Sequence, residues 1–236
     1  MYVSFIKENG IDFFKKIAYP NNRNRKIVER KGGMNASFFA KEIYRKLFYR
    51  IMEGVPMKLS DARKYKKQIK SLYKVAFPRD ERAPISLLFR KTGNERNAFY
   101  AALDNDEFVG LVYTVRVESL VYVFYLAVVE EKRGHGYGSR ILELIRKLYP
   151  DCVITLEIED TEDANADNKE QRIKRLRFYE ANGYKQLHIK INEAGVVYEL
   201  LGTADTITQA KFLEMMKQYF GPILFRMIYK ETILTQ

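Results

Sequence analysis

Three glycines at alternate positions form the segment of this sequence with the clearest chemical potential. Gly134, Gly136 and Gly138 follow an apolar stretch and precede an amphipathic one. Glycine lets the backbone turn sharply and approach a ligand closely. If a helix begins at this loop, its free N–H groups and its positive end converge on one point, which favours a phosphate. The loop therefore predicts a phosphate- or pyrophosphate-binding site.

Two well-characterised phosphate loops do not fit this spacing. The dinucleotide fingerprint is Gly-x-Gly-x-x-Gly, whereas the third glycine here comes one position too early. A P-loop ends in Gly-Lys-Ser/Thr, and Gly138 is followed by Ser139 and Arg140 instead. Several predicted strands also precede the loop, whereas a Rossmann domain usually places its loop after the first strand.

The loop does fit the pattern Arg-x-x-Gly-x-Gly, with Arg133 at its start. Residues 177–184 read Arg-Phe-Tyr-Glu-Ala-Asn-Gly-Tyr. Together these segments resemble the GNAT acyltransferase superfamily, which carries an acyl-CoA loop and a later Phe-Tyr-Glu-x-Asn-Gly-Phe segment. Tyr184 stands in for the final aromatic residue. The resemblance covers about residues 57–201. It implies an α/β fold of the α+β type, in which helices flank a mixed, mostly antiparallel central sheet whose central strands splay apart.

The resemblance also implies acetyl-CoA as co-substrate and no metal. In the family the pantetheine arm lies between the splayed strands, and the loop holds the pyrophosphate. The pantetheine would pair with backbone groups near Leu126, Ala127 and Val128. The expected pyrophosphate contacts are Arg133, Gly134, His135, Gly136, Tyr137, Gly138 and Ser139, with Arg140 as a further source of positive charge.

Tyr179 matches the family tyrosine that protonates the departing CoA thiolate. A phenol has a pKa of about 10 and a thiol a pKa of about 8.5, so the transfer is mildly uphill. The hydroxyl group can therefore act as much by hydrogen bonding as by proton transfer. The alternative is that Tyr179 is only a packed aromatic residue.

The general base is harder to identify. Many family members carry a glutamate on the strand before the glycine loop, but residues 124–127 read Phe-Tyr-Leu-Ala. Glu157 and Glu159 alternate onto one face of the next predicted strand, and either could deprotonate an amine directly or through water. The alternative is that they are solvated or paired with arginines.

The expected order of elements is two helices, a three-strand meander, a loop and helix, a strand, a helix and a closing hairpin. Ser60 is expected to cap the first helix, with Asp61 in its first turn. The remaining predicted elements are helices at 84–91, 138–149 and 206–219, a helix ending at 182–183, and strands at 98–103, 108–117, 121–129, 153–159, 184–192 and 196–201.

The composition is that of a globular protein, with 47% hydrophobic and 30% charged residues. No apolar run reaches the roughly 18 residues of a membrane-spanning helix, and residues 1–10 lack the apolar core of a secretory signal. Cys152 is the sole cysteine, which excludes an internal disulfide and a cysteine-based zinc cluster. A cytoplasmic, metal-free protein is therefore expected.

The net charge of +11 is concentrated at the start of the chain. Residues 1–56 hold 12 Lys and Arg against 5 Asp and Glu, and residues 57–236 hold 29 against 25. The first segment is a membrane- or RNA-binding arm, a helical extension packed on the domain, or translated leader before a true start at Met57. Glu53 and Gly54 can be encoded by a purine-rich stretch that resembles a bacterial ribosome-binding site. Residues 57–236 are expected to form the acyltransferase domain with a C-terminal helical segment.

These features favour an acetyl-CoA-dependent N-acetyltransferase, in which a primary amine attacks the thioester directly in a ternary complex. One alternative is a non-catalytic acyl-CoA-binding module or sensor. Another is a nucleic-acid or membrane-surface binder driven by the basic arm, although no nucleic-acid partner is expected. The acceptor would be a small-molecule or peptide amine, and an acidic run at 157–170 would favour a cationic one. The segment 223–228 could cover a sheet edge or meet a partner, which leaves a homodimer open.

Overall fold

The computed structural model describes residues 57–79, 81–164, 166–230 and 232. Seven strands form one sheet: β1 (Met57–Asp61), β2 (Asn97–Asp104), β3 (Glu107–Val117), β4 (Leu120–Val128), β5 (Val153–Glu159), β6 (Lys185–Glu193) and β7 (Val196–Gly202). The strand order across the sheet is β1-β2-β3-β4-β5-β7-β6. Adjacent strands run antiparallel except β4 and β5, which are parallel. The expected mixed, mostly antiparallel sheet is confirmed.

Short turns join the consecutive antiparallel strands. Asn105 and Asp106 connect β2 to β3 with φ of 47° and 66°, and Ala194 and Gly195 connect β6 to β7 with φ of 51° and 95°. Two successive residues with positive φ twist a tight turn in the same sense as the flanking strands. Asparagine, aspartate and glycine tolerate this conformation best, which explains why these turns are readable from the sequence.

The parallel pair β4–β5 separates early. It is held by three register pairs, Leu120 with Val153, Val121 with Ile154, and Tyr122 with Thr155. Beyond them both strands continue, but they no longer pair with each other. Opposite the point of separation the β3–β4 register shifts, so that Phe124 becomes an extra residue on β4. A bulge of this kind bends a strand and increases its twist, and it turns β4 away from β5. The splayed central strands are therefore present.

Six helices flank the sheet in the described residues: α1 (Lys66–Ala76), α2 (Ile85–Lys91), α3 (Tyr137–Leu148), α4 (Lys169–Ala181), α5 (Gln209–Phe220) and α6 (Pro222–Ile228). One face of the sheet packs on α1, α2, α5 and α6, and the other packs on α3 and α4. Phe124 contacts both core clusters of the first face. No helix of these residues is long and apolar enough to cross a membrane.

The expected helix start at Ser60 is wrong. Residues 57–61 instead form β1, which pairs antiparallel with β2 from Met57–Asp104 to Asp61–Tyr100. The Asp61 carboxylate accepts a hydrogen bond from the Arg63 N–H at 2.8 Å and caps a short 3-10 turn at 62–65, after which α1 begins. The polar residues do cap a turn, but pairing with a neighbouring strand overrides the local helix signal.

The C-terminal segment belongs to the same core. Phe225 and Tyr229 are buried beside α5. The Ala194 N–H bonds to the Ile228 carbonyl at 2.8 Å, and the Thr232 hydroxyl bonds to the Asn192 backbone. Because β6 is an edge strand, these bonds cover part of an edge that would otherwise be free to pair.

Candidate functional site

The glycine loop ends where α3 begins, as its spacing predicts. Gly136 caps the helix with a φ of 79°, and Gly134 has the same φ. This left-handed conformation is accessible to glycine at no steric cost. The Arg140 N–H is the first to bond into the helix, to the Gly136 carbonyl at 3.1 Å. Among the described residues, no backbone carbonyl accepts the N–H groups of residues 134–139. These donors and the helix dipole suit an anion.

Packing holds this loop against both neighbouring elements. A Cβ on Gly138 would lie 2.9 Å from Phe178 Cζ, so the absence of a side chain lets α4 approach α3. The Tyr137 hydroxyl donates to Asp104 Oδ2 at 2.7 Å. That hydrogen bond is the main cause that raises the Tyr137 pKa. The Tyr137 backbone N–H is thus one of the free donors of the loop, while its side chain fixes α3 to the end of β2.

The Arg140 side chain lies near Asp104, at the end of β2. It is 8% exposed, and Nη1 lies 3.8 Å from Asp104 Oδ1. The expectation that Arg140 adds charge to a phosphate site stays a prediction. Arg133 stays at the loop, where Nε donates to the Val128 carbonyl at 3.2 Å. His135 Nδ1 lies 2.9 Å from the Arg133 carbonyl.

The strand that leads into the loop has one unpaired edge. Leu126, Ala127 and Val128 pair with β3 through Val112, Leu111 and Gly110. On the opposite side β5 has already diverged. Backbone groups alternate between the two edges of a strand, so part of this segment's N–H and C=O groups face the gap. An extended polar chain could bond there as an additional strand does.

Tyr179 lies on α4, on the face of the sheet that carries α3. It is half-buried, and its ring packs against Phe178 and Tyr184 at centroid distances of 5.0 and 5.8 Å. Burial raises the pKa of its hydroxyl group, while Arg175 opposes that rise. The group is consequently a neutral hydrogen-bond donor across the physiological range.

Glu159 is held by positive charge. Its carboxylate accepts from Arg175 Nη1 at 2.6 Å and from Asn168 Nδ2 at 2.9 Å, and it lies 3.3 Å from Arg172 Nε. These partners fix the end of β5 to the start of α4. The arrangement matches the alternative that the sequence left open, in which Glu159 is paired with arginines.

Glu157 has a different environment. Its Oε2 accepts a hydrogen bond from the Tyr122 hydroxyl at 2.7 Å. Its second neighbour is the carboxyl group of Glu193, which in turn accepts a hydrogen bond from Tyr229. Burial raises the pKa of Glu157 well above its ordinary value, Glu193 raises it further, and the bond from Tyr122 opposes the rise.

The sequence did not identify Glu193, Tyr122 or Tyr229 as neighbours of this site. Tyr122 lies within an apolar run, Glu193 lies at a hairpin, and Tyr229 follows a helix that could not be placed. Only the order of strands β5, β7 and β6 brings these residues to Glu157. No local signal could have found them.

The site therefore combines a helix end with unpaired N–H groups, a slot with free backbone groups, and ionisable side chains on both faces of the sheet. Tyr179 packs with the core on the α3–α4 face, and Glu157 bonds to Tyr122 of the core on the other face. Such a site can hold a long phosphorylated chain in the slot and move protons at its end.

Comparison with known proteins gives matching results. Residues 95–186 match the family model described as an acetyltransferase (GNAT) domain. YjbC of Bacillus subtilis (strain 168), provisionally named an acetyltransferase, is 29% identical over 114 residues, which are 45% of this chain and 56% of that protein. The match thus spans little more than half of the relative.

Two solved structures share the fold. A protein of Bacteroides thetaiotaomicron, provisionally assigned to the GNAT acetyltransferases, superposes with a TM-score of 0.56 at 18% identity, covering 72% of this chain and 98% of the other. An aminoglycoside 6'-N-acetyltransferase in complex with coenzyme A gives 0.51 at 19% identity, covering 65% and 98%.

Proposed function

Residues 95–186 match a family model of GNAT acetyltransferase domains, and from this match we propose that the chain transfers an acetyl group from acetyl-CoA to a primary amine. The observation that carries the proposal is the separation of β4 from β5 immediately before the glycine loop. A slot with free backbone groups that ends at a helix N-terminus is suited to pantetheine followed by a pyrophosphate. The coenzyme A complex of the structurally similar aminoglycoside acetyltransferase is consistent with this assignment.

In this proposal the backbone at Leu126, Ala127 and Val128 pairs with pantetheine. The N–H groups of residues 134–139 bind the pyrophosphate, and Arg133 adds positive charge beside them. The bound thioester is attacked directly by the amine, and Tyr179 donates a hydrogen bond or a proton to the departing thiolate. No covalent enzyme intermediate is required, so the reaction passes through a ternary complex.

The acceptor is an amine of a small molecule or a peptide. The acidic run at 157–170 gives little support for a cationic acceptor, because most of its carboxylates have internal partners. Lys190 binds Asp160 and Glu162, and Arg172 lies near Glu159 and Asp163. A preference for cations would have to come from the carboxyl groups of Glu157 and Glu193. A cytoplasmic location and a homodimer stay predictions.

One observation favours a second function, a non-catalytic acyl-CoA-binding module. Strand β4 reads Leu-Val-Tyr-Val-Phe-Tyr-Leu-Ala-Val and offers no carboxylate at the point where many family members carry one. The same fold without a base would bind acetyl-CoA and report its concentration.

Initial-rate kinetics of the full chain separate the two functions. The protein is mixed with acetyl-CoA and a panel of amines, and thiol release and acetylated product are measured. The panel comprises polyamines, aminoglycosides and peptides with free N-termini or lysines. Direct transfer predicts acetylated product from at least one amine, with intersecting double-reciprocal lines. Tight acetyl-CoA binding without product from any amine would instead support the sensor.

A further inference from the structure

Glu157 occupies a particular position relative to the separating strands. The last β4–β5 register pair is Tyr122 with Thr155, and Glu157 lies two residues further along β5. Because side chains alternate along a strand, Glu157 points to the same face as Thr155. The Tyr122 hydroxyl reaches Glu157 Oε2 at 2.7 Å and so bridges the two strands. The carboxyl group therefore lies at the closed end of the slot.

The carboxyl group of Glu193 lies next to that of Glu157. Glu193 comes from the end of β6, and the buried Tyr229, which follows α6, donates a hydrogen bond to Glu193 Oε1. Glu157 Oε1 has almost no accessible surface and receives no hydrogen bond from a donor of the described residues. The neighbour on that side is the Glu193 carboxyl, and a hydrogen bond joins the two side chains. Two carboxylates can form such a bond only if one of them carries a proton.

The surroundings supply no positive charge to separate the two groups. Within the described part of the chain, no lysine or arginine lies at ion-pair distance from Glu157 or Glu193. The titratable groups that interact with the two carboxyl groups are phenols from several elements: Tyr122 and Tyr125 on β4, Tyr198 on β7 and Tyr229 after α6. Glu81 and Glu159 in turn act on Tyr198. Two adjacent buried carboxyl groups cannot both ionise readily. The pair therefore holds one proton and one negative charge.

We propose that Glu193 is a positioning residue for the transfer reaction, sharing one proton with Glu157 so that the pair takes up the proton that the attacking amine loses. This inference rests on the proposed acetyltransferase function. A proton leaves the amine nitrogen for the pair as the nitrogen–carbon bond forms. The carbon–sulfur bond breaks, and the thiolate receives a proton from Tyr179. One proton then passes through solvent from the pair to Tyr179, which restores the protonation states of the pair and of the phenol.

The shared proton predicts a specific pH dependence. The pair can accept a proton while it holds one, so the rate falls at pH values where it holds two. Burial raises the Glu193 pKa, and the bonds from Tyr229 and Glu157 oppose that rise, which keeps the pair ionised to lower pH than burial alone would allow. In Glu193→Gln, Glu157 must ionise alone, and burial raises its pKa. The acid limb of kcat/KM is therefore expected to move by about one pH unit or more to higher pH. At pH values below the limb this lowers kcat/KM roughly tenfold, while the plateau at high pH is retained.

The test compares pH profiles of the full chain and its variants with an amine that supports turnover. Tyr229→Phe removes a bond that lowers the Glu193 pKa, so it should shift the acid limb in the same direction, and it serves if Glu193→Gln does not fold. Glu199→Gln is the matched control. Glu199 is a 3% exposed carboxylate of the same sheet whose partners are Gln186 and His188, and its removal should leave the limb in place.

A ligand-free readout separates this proposal from the proposed function. Side-chain carboxyl ¹³C NMR of the full chain should show two coupled titrations, and Glu193→Gln should replace them by one. Coupled titrations together with a shifted limb support the proposal. If both variants keep their turnover and the acid limb of kcat/KM does not move, the proposal is overturned and the acetyltransferase function stands. The same holds if NMR shows that the two glutamates titrate independently with ordinary pKa values. Absence of transfer to any amine overturns both.

Discussion

In the proposed reaction, Tyr179 is the residue that assists departure of the leaving group. Its environment keeps the hydroxyl group protonated, because burial raises its pKa and the opposing effect of Arg175 is smaller. A group that stays neutral can donate to a developing thiolate throughout the useful pH range. The structure gives it a defined position through the packing of Phe178 and Tyr184 against its ring.

Replacement of Tyr179 by phenylalanine should lower kcat by about 10²-fold, the lower end of the usual contribution of a general acid. The change removes the donor but keeps the ring, so acetyl-CoA affinity should change little. Steady-state kinetics and calorimetric binding measure the two effects. Tyr100→Phe is the control, since this half-buried tyrosine bonds to Tyr149 away from the loop. Equal kcat values for the Tyr179→Phe variant and the unaltered chain would assign Tyr179 to packing.

The two glutamates on β5 show what strand periodicity can and cannot predict. Alternation correctly predicts a strand over 153–159 with Glu157 and Glu159 at every second position. It cannot separate their roles, because these depend on residues distant in sequence. Arg172 and Arg175 come from the following helix, whereas Glu193 comes from β6.

At the scale of elements, the contact between α3 and α4 connects the phosphate loop to the helix that carries Tyr179. Gly138 permits this contact, because a Cβ there would lie 2.9 Å from Phe178 Cζ and 3.3 Å from its Cε2. The two segments that resemble one family in sequence are thus direct neighbours in space. The sequence shows both segments and their order but not their contact.

Gly138→Ala should destabilise the fold by about 1–3 kcal/mol, the usual cost of overpacking. The variant should also weaken CoA binding, since Phe178 must move and displace the loop. Phe178→Leu removes the clashing ring atoms, so the double variant should be more stable than the sum of the single changes implies. Urea unfolding of the four proteins gives this coupling energy.

Gly195 provides the matched control for that cycle. It also has no side chain, but its added Cβ would meet no atom within 4 Å. Gly195→Ala is expected to carry a cost from its φ of 95° and no coupling to Phe178→Leu. Equal coupling at both glycines would contradict a contact through Gly138.

Much of the element order is readable from the chain, and the exceptions have a common cause. The central hairpins, the strand before the loop, α3 and α4 follow from apolar patterning and turn residues. Strand β1 was missed because its identity comes from pairing with β2, and Asp61 caps a turn rather than a long helix. The place of the C-terminal segment was open because Ile228 and Thr232 bond to Ala194 and Asn192 on the far edge of the sheet.

At the scale of the whole molecule, the net charge of +11 gives little indication of an anionic partner. Residues 57–236 hold nearly balanced charges, and their acidic stretch is largely paired with Lys190, Arg172 and Arg175. The excess positive charge lies on residues 1–56, which fall outside the described part of the chain. The interpretations of that segment, as an arm, an extension or a leader before Met57, stay predictions.

The carboxyl pair should make stability depend on pH in a defined direction. The folded state raises the Glu157 pKa above its ordinary 4.5, so it binds the proton more tightly than the unfolded chain does. This contribution is fully present below pH 4.5 and is lost as pH rises through the folded pKa. Asp61 and Asp160 have the opposite pH dependence, because the folded state lowers their pKa values. Their contribution to stability is lost as pH falls below their ordinary pKa of 3.8.

Glu157→Gln mimics the protonated group, so its stability relative to the unaltered chain should increase steadily as pH rises from 4.5. Chemical unfolding of both proteins at several pH values measures the difference, and Glu199→Gln supplies the comparison for a buried glutamate without a carboxyl partner. A constant difference between Glu157→Gln and the unaltered chain across this range would show that Glu157 has an ordinary pKa.

The proposed function requires that acetyl-CoA lie in the slot between β4 and β5. A crystal structure of the full chain with bound CoA tests this most directly. The expected result is pantetheine paired with the backbone of residues 126–128, pyrophosphate oxygens accepting from the N–H groups of residues 134–139, and sulfur within hydrogen-bond reach of the Tyr179 hydroxyl. CoA bound elsewhere, or in the slot with its sulfur remote from both Tyr179 and Glu157, would contradict the account.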